Sequence, residues 1–151
     1  MKKIVITGGA GFIGSWVLRE LFLRYEDAEF AIIDNLCCGS SKTIERYTAT
    51  DRVILYEVDL KNIEKIQHIF KDATDVYHFA ANADIAKATT NPTVDFYEGT
   101  LLTQNVIESA RVSNIKNFIY ASGSGVYGEK KLLSISEDEP FMEPILSLIH
   151  I

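Results

Sequence analysis

The chain begins Lys2-Lys3-Ile4-Val5-Ile6-Thr7-Gly8-Gly9-Ala10-Gly11-Phe12-Ile13-Gly14, and no other stretch restricts its fold as strongly. A β-branched run passes straight into glycines and then into helical spacing at Phe12, Val17, Leu18, Leu21 and Phe22. The glycines read as GxGxxG through Gly9, Gly11 and Gly14, or as GxxGxxG through Gly8, Gly11 and Gly14. Such a turn lets backbone come close to a dinucleotide diphosphate and lets the helix pack tightly on the strand. The helix start also offers free N–H groups and a positive dipole end to an anion. Glycine spacing alone is a weak signal; the strand before it and the helix after it supply the context the motif needs.

The same alternation continues along the chain. Phe30 to Asp34 reads as a second strand, Ser40 to Tyr47 as a short helix, and Val53 to Tyr56 as a third strand running into Val58-Asp59-Leu60. Ile63, Ile66, Ile69 and Phe70 form a helical stripe, Val76 to Phe79 a fourth strand, residues 93–112 a long helix behind Pro92, and Phe118 to Ala121 a fifth strand. Strands alternating with helices predict an α/β fold, a doubly wound parallel sheet covered on both faces.

Composition narrows the function classes. With 151 residues the chain is one domain at most, and 47% hydrophobic content is ordinary for a globular protein. The net charge of -6 excludes a basic footprint for nucleic acid. No apolar run reaches the ~20 residues of a membrane-spanning helix. Lys2-Lys3 runs into a strand rather than into a signal-peptide core. Cys37 and Cys38 are adjacent, which gives neither a disulfide framework nor a Cys-x-x-Cys motif, and a reducing cytoplasm is the simplest setting. Three histidines and two cysteines show no zinc spacing, so no metal is expected.

Asp34 ends the second strand, 20 residues after Gly14. A carboxylate there can accept from the hydroxyls of an adenosine ribose and would repel a 2′-phosphate. No Lys or Arg follows in Asn35-Leu36-Cys37-Cys38, so NAD is expected rather than NADP.

Five motifs then occur in order: Thr7 to Gly14, Asp34-Asn35-Leu36, Asp59-Leu60, His78-Phe79-Ala80-Ala81 and Val126-Tyr127-Gly128. The set resembles the extended short-chain dehydrogenase/reductase family, within it the NAD-dependent nucleotide-sugar epimerases and dehydratases. The resemblance covers residues 2 to about 144 and implies a Rossmann-type fold. This chain would hold an incomplete version of it, about five strands in the order 3-2-1-4-5, with the substrate domain absent. Residues 1–144 are expected to form the NAD-binding domain. The apolar tail 145–151 resembles a translated sequencing adaptor as much as a natural final strand or helix.

By the same resemblance, Gly8, Gly11, Phe12, Ile13 and Gly14 face the cofactor, Asp34 and Asn35 take the ribose, and Asp59 and Leu60 line the adenine. Phe79 is placed with them at the cofactor, and Ala80 and Ala81 are small so that backbone can run beside it. Asp59 could equally be a helix N-cap. His78 reads as a structural strand-end residue and His68 as a surface residue. The implied activity is transient hydride transfer from a sugar hydroxyl carbon to NAD, with a UDP-sugar 4-epimerase favoured and a homodimer when full length.

The catalytic half is thinner. The family uses a Tyr as general base and a Lys four residues later. Here the only such spacing is Tyr127 to Lys131, where Gly128 opposes the helix that would bring the pair onto one face. The pair is rejected, and the chain alone is expected to be inactive. The family Ser/Thr position falls on Gly123, leaving its neighbours Ser124 and Ser122 as candidates for the hydroxyl that meets substrate. In the long helix, Gly99 and Leu102 stand where the family pattern has Asn and Gly. These departures leave open a non-catalytic NAD-binding or scaffold protein of the same fold.

Overall fold

The computed structural model describes residues 2–82, 87, 90–91, 93–123, 127, 134, 136 and 138. Its strands are β1 (Lys3–Thr7), β2 (Glu29–Asp34), β3 (Val53–Glu57), β4 (Asp75–His78) and β5 (Asn117–Tyr120). They form one parallel sheet in the order β3-β2-β1-β4-β5, which is the order the family resemblance implies.

Over β1, β2 and β4 both faces of the sheet are covered, and strand alternation sorts the side chains between them. Ile4, Ile6, Phe30 and Ile32 point to one face. There they meet Leu18 and Leu21 of α1 (Phe12–Arg24) and Ile44 and Tyr47 of α2 (Ser41–Thr48). Val5, Ala31, Ile33 and Val76 point to the other face. That core is closed by Ile66 of α3 (Ile63–Ile66), by Ile69 and Phe70, and by Leu102, Val106 and Ala110 of the long helix α4. α4 is α-helical over Thr93–Asp95, π-helical over Phe96–Leu101 and α-helical again over Leu102–Val112.

Several local expectations need correction. Phe12 is 82% exposed. It sits in the first turn of α1, above the sheet edge, so its helical spacing with Val17 and Leu18 does not bring it into the core. The Ile63–Phe70 stripe is one α-helical turn followed by a tighter 3-10 turn, Gln67–Phe70, which still buries Ile66, Ile69 and Phe70. Asp59 does not cap α3. Asn62 does, accepting from the Lys65 N–H at 3.3 Å. The long helix carries a π-helical insertion that periodicity did not reveal.

β5 is the edge strand beyond β4. Phe118, Ile119 and Tyr120 are all exposed, Tyr120 at 58%. At the amino-terminal end of the sheet, Asp75 is buried and bound by Lys2, Thr74 and Asn117. Burial alone would raise its pKa. Hydrogen bonds from Thr74, Asn117 and Lys2, with the Lys2 charge, outweigh it and hold the carboxyl below its usual range.

Candidate functional site

The order in which strands are added reverses at β1: β2 and β3 lie on one side of it, β4 and β5 on the other. In open α/β sheets the crevice at such a switch point, outside the carboxyl ends of the strands, is where ligands sit. A cavity of about 400 Å³ opens there. Gly8 and Gly11 follow β1, Asp34 and Asn35 end β2, Asp59 and Leu60 follow β3, and Phe79, Ala80 and Ala81 follow β4. These residues, with Phe12, Ile13 and Gly14 at the start of α1, all line the same cavity. The sequence-predicted cofactor residues are therefore brought together without exception.

The glycine turn is close-packed. Gly8 has φ +67°, and a Cβ there would lie 2.7 Å from the Ala80 nitrogen. A Cβ on Gly14 would lie 2.2 Å from the Gly8 carbonyl oxygen. Any side chain at either position would push α1 or the β4 segment away from the turn. Gly9 does not line the cavity; its missing Cβ faces Ile32 of the core. GxxGxxG is thus the spacing that faces the cavity. Gly11 occupies the N-cap position of α1, and the first intrahelical bond runs from the Ser15 N–H to the Gly11 carbonyl at 3.0 Å. Helix geometry leaves the N–H groups of Phe12, Ile13 and Gly14 without intrahelical acceptors.

Asp34 is 8% exposed. Oδ2 accepts from the Ala10 N–H at 2.9 Å and Oδ1 from the Leu36 N–H at 2.9 Å. One carboxylate thereby ties the glycine turn to the loop after β2. An ionised carboxylate has about four acceptor positions, so each oxygen keeps capacity for a further donor. Leu36 takes a left-handed conformation, φ 57°, to deliver its N–H. Such a backbone costs a Leu roughly 1–2 kcal/mol.

The opposite wall is polar and braced. Asp59 Oδ1 accepts from the Lys61 N–H at 2.9 Å, and its Oδ2 lies 3.3 Å from Lys61 Nζ. Lys61 Nζ also donates to Glu98 in the π-helical segment. The Glu98 hydrogen bond, more than burial opposes it, holds Lys61 above its usual pKa, with Asp59 adding to the effect. Asn105 of α4 is buried and donates through Nδ2 to the Leu60 carbonyl at 2.9 Å and the Lys61 carbonyl at 3.0 Å. α4 thus holds the loop that carries Asp59 and Leu60.

His78 is fully enclosed at the end of β4. Its Nδ1 shares a hydrogen bond with Thr7 Oγ1 at 2.5 Å and its Nε2 one with Thr103 Oγ1 at 3.0 Å. The ring stacks on Tyr120 with centroids 5.7 Å apart. Burial pushes its pKa down to about 4. It is a neutral bridge between β1, β4 and α4, in keeping with a structural role. His68 is exposed and meets the Tyr56 ring edge-on.

Ile33, Cys37, Cys38, Gly39, Val58, Glu98 and Leu102 also line the cavity, and the motifs did not single them out for it. Gly39 is marked in the sequence only as a loop glycine; the structure shows why it is one, because a Cβ there would come within 2.9 Å of Ala10 backbone. Glu98 carried no signal, since only the packing of α4 brings it to the cavity. Ser122 is exposed beyond β5 and is not among the lining residues; Ser124 and Lys131 lie outside the described residues. Among the described residues no cluster of three or more His, Cys, Asp or Glu could hold a metal, and no helix is long and apolar enough to cross a membrane.

The sequence profile of the NAD dependent epimerase/dehydratase family matches residues 4–145. The chain belongs to this family. Among curated epimerases, UDP-glucose 4-epimerase of Haemophilus influenzae is 32% identical over 139 residues, a match covering 89% of this chain and 40% of that protein. A putative UDP-glucose 4-epimerase of Methanocaldococcus jannaschii is 36% identical over 138 residues, covering 91% and 43% respectively. The chain spans about two-fifths of the length of these family members. Among solved structures, the UDP-Glc/GlcNAc 4-epimerase of Campylobacter jejuni superposes with a TM-score of 0.79 at 34% identity, over 94% of this chain and 43% of that one. The UDP-glucose 4-epimerase of Thermus thermophilus, solved as a complex with NAD, gives 0.76 at 30% identity, over 93% and 44%.

Proposed function

We propose that this chain binds NAD in the cavity at the switch point and forms the cofactor-binding part of a UDP-sugar 4-epimerase. The observation that carries the reading is the convergence of four strand ends on one cavity, with the Asp34 carboxylate fixed in its wall by two backbone donors. Gly8, Gly11, Phe12, Ile13 and Gly14 would hold the diphosphate, whose charge suits the open N–H groups and dipole of α1. Asp34, with Asn35 beside it, would take the adenosine ribose. Asp59 and Leu60 would line the adenine, and Phe79, Ala80 and Ala81 the path toward the nicotinamide.

The residues fit this cofactor on two counts. Close approach of backbone to a diphosphate needs positions without side chains, and a Cβ at Gly8 or Gly14 would collide with neighbouring backbone. Among the described residues neither Lys nor Arg lines the cavity, and of its carboxylates Asp59 and Glu98 are bridged by Lys61 behind the wall, while Asp34 accepts from backbone N–H groups. That charge pattern favours NAD, whose ribose offers hydroxyl donors, over NADP, which would bring a phosphate to the same carboxylate.

Bound NAD supplies a hydride acceptor for the sugar carbon that bears the reacting hydroxyl. The chain's own part is to bind and orient: Asp34 fixes the adenosine end, the α1 turn fixes the diphosphate, and His78 with Asn105 keeps the surrounding segments rigid. Residues 1–144 form the dinucleotide-binding domain in this reading, with 145–151 outside it. Tyr127 and Lys131 are not its base and helper, so the chain alone turns over no sugar. The intact protein would be a cytoplasmic homodimer; the two exposed free cysteines suit a reducing compartment.

Titration calorimetry on the folded chain tests the binding claim. NAD should bind, NADP at least tenfold more weakly, and Asp34→Ala should abolish both the preference and most of the affinity. Folded protein that takes up neither NAD nor NADH overturns the reading. UDP-glucose conversion by the purified chain would overturn the assignment of its inactivity.

A further inference from the structure

The two cysteines of the chain stand side by side in the wall of the cavity, separated from Asp34 and Asn35 by Leu36 alone. Both are exposed, and their sulfurs lie 3.6 Å apart. The Cys37 N–H donates to Asn35 Oδ1 at 3.1 Å, which fixes the backbone that carries the pair. Nothing in the cofactor reading uses these thiols.

We propose that Cys37 and Cys38 form a dithiol site for trivalent arsenicals, and that an arsenical held there excludes the dinucleotide. The second half rests on the proposed NAD site; the first does not.

The geometry separates this chemistry from its rivals. A disulfide would need the sulfurs to close from 3.6 Å to about 2.05 Å. Neighbouring Cα atoms are only ~3.8 Å apart across a trans peptide, below the ~4.4 Å at which ordinary disulfides begin. A divalent soft cation prefers four ligands, and among the described residues no third His, Cys, Asp or Glu completes such a set. A three-coordinate centre that brings its own third substituent needs only the two sulfurs. If its bonds to sulfur are as long as the ~2.3 Å of a zinc thiolate, the 3.6 Å separation corresponds to an angle at that centre of roughly 100°. Capture balances without redox change: two S–H bonds and the arsenic–oxygen bond of an organoarsenic oxide break, two arsenic–sulfur bonds form, and water leaves with both thiol protons.

Phenylarsine oxide is the probe. Mass spectrometry of the native chain should show one phenylarsenic group per molecule, with the two thiol hydrogens lost. The adduct should survive excess monothiol and be removed by a small dithiol. Cys37→Ser and Cys38→Ser should each abolish stable capture, and because the chain has only these two cysteines the adduct has one assignment. Absence of the adduct, or an adduct as stable in either single variant, overturns the dithiol site. Calorimetry then reads the coupling. NAD affinity should fall at least tenfold in the capped chain and recover after dithiol treatment, while arsenical leaves the affinity of Cys37→Ser at its own untreated value. Unchanged NAD affinity in the capped chain overturns the exclusion. If the untreated chain binds no NAD, both the exclusion and the proposed cofactor site fall, while the mass measurement still decides the dithiol.

Discussion

Asp34 Oδ2 accepts a 2.9 Å hydrogen bond from the Ala10 N–H, joining the carboxyl end of β2 to the glycine turn that follows β1. The same side chain takes the Leu36 N–H on its other oxygen at 2.9 Å. It therefore organises two loops before it meets any ligand. Asp34→Asn replaces one acceptor with a donor facing an N–H. Leaving a buried donor unpaired costs about 1–3 kcal/mol. Denaturant unfolding should show a loss of that size, and NAD affinity should drop by at least tenfold. A variant with unchanged stability would mean that these two hydrogen bonds do not hold the loops.

The glycines divide by what surrounds them. Gly14→Ala would place a methyl 2.2 Å from the Gly8 carbonyl oxygen, so α1 must shift from the turn. A cost of at least about 3 kcal/mol is expected, at the upper end of overpacking. Gly99→Ala meets nothing within 4 Å and lies inside α4. It should stabilise by roughly 0.5–1 kcal/mol through lower unfolded-state entropy. Thermal melts of the two variants should move in opposite directions.

Asn105→Ala removes both donors to the Leu60 and Lys61 carbonyls while leaving those acceptors in place. A loss of about 2 kcal/mol is expected from a buried side chain that makes two such bonds. The Asp59–Leu60 loop should loosen with it. Hydrogen exchange at Lys61 and Asn62 should speed up, and the affinity for NAD should weaken more than that for the diphosphate alone.

His78 makes folding pH-dependent. Its folded pKa is about 4 against an ordinary 6.5, so between those values the unfolded chain binds the proton more readily. Stability from this group is complete above pH 6.5 and is lost as pH falls toward 4. The loss approaches about 1.4 kcal/mol per pH unit, roughly 3 kcal/mol in total. Asp75, whose folded pKa lies below its ordinary 3.8, continues the same trend at lower pH. His78→Gln should be less stable at neutral pH and should flatten the slope between pH 6.5 and 4. An unchanged slope would show that His78 is not its source.

How much of this was legible beforehand follows from the range of each signal. The apolar runs at Ile4–Ile6 and Phe30–Ile33 expose their strand character to any short window. The glycine turn announces itself because tight backbone packing tolerates no Cβ at Gly8 and Gly14. Asp34 was legible from its place at a strand end behind that turn. The π-helical segment was not legible, because one altered turn leaves the long apolar pattern of α4 almost intact. Nor was the bracing of Asp59 by Lys61 and Glu98, partners that meet across 37 residues.

Residue order alone settled the alternation of strands and helices, the two-faced core and the presence of a glycine turn, since these depend on periods of two to four residues and on the absence of side chains. Tertiary packing decided what occupies the cavity walls. His78 and Thr7 are 71 residues apart, and Asp34 and Ala10 are 24. They meet only because parallel pairing places β4 and β2 on either side of β1 with their carboxyl ends level. The same packing carries Glu98 and the Cys37–Cys38 pair to the cavity, where local sequence had marked only a helix and a loop.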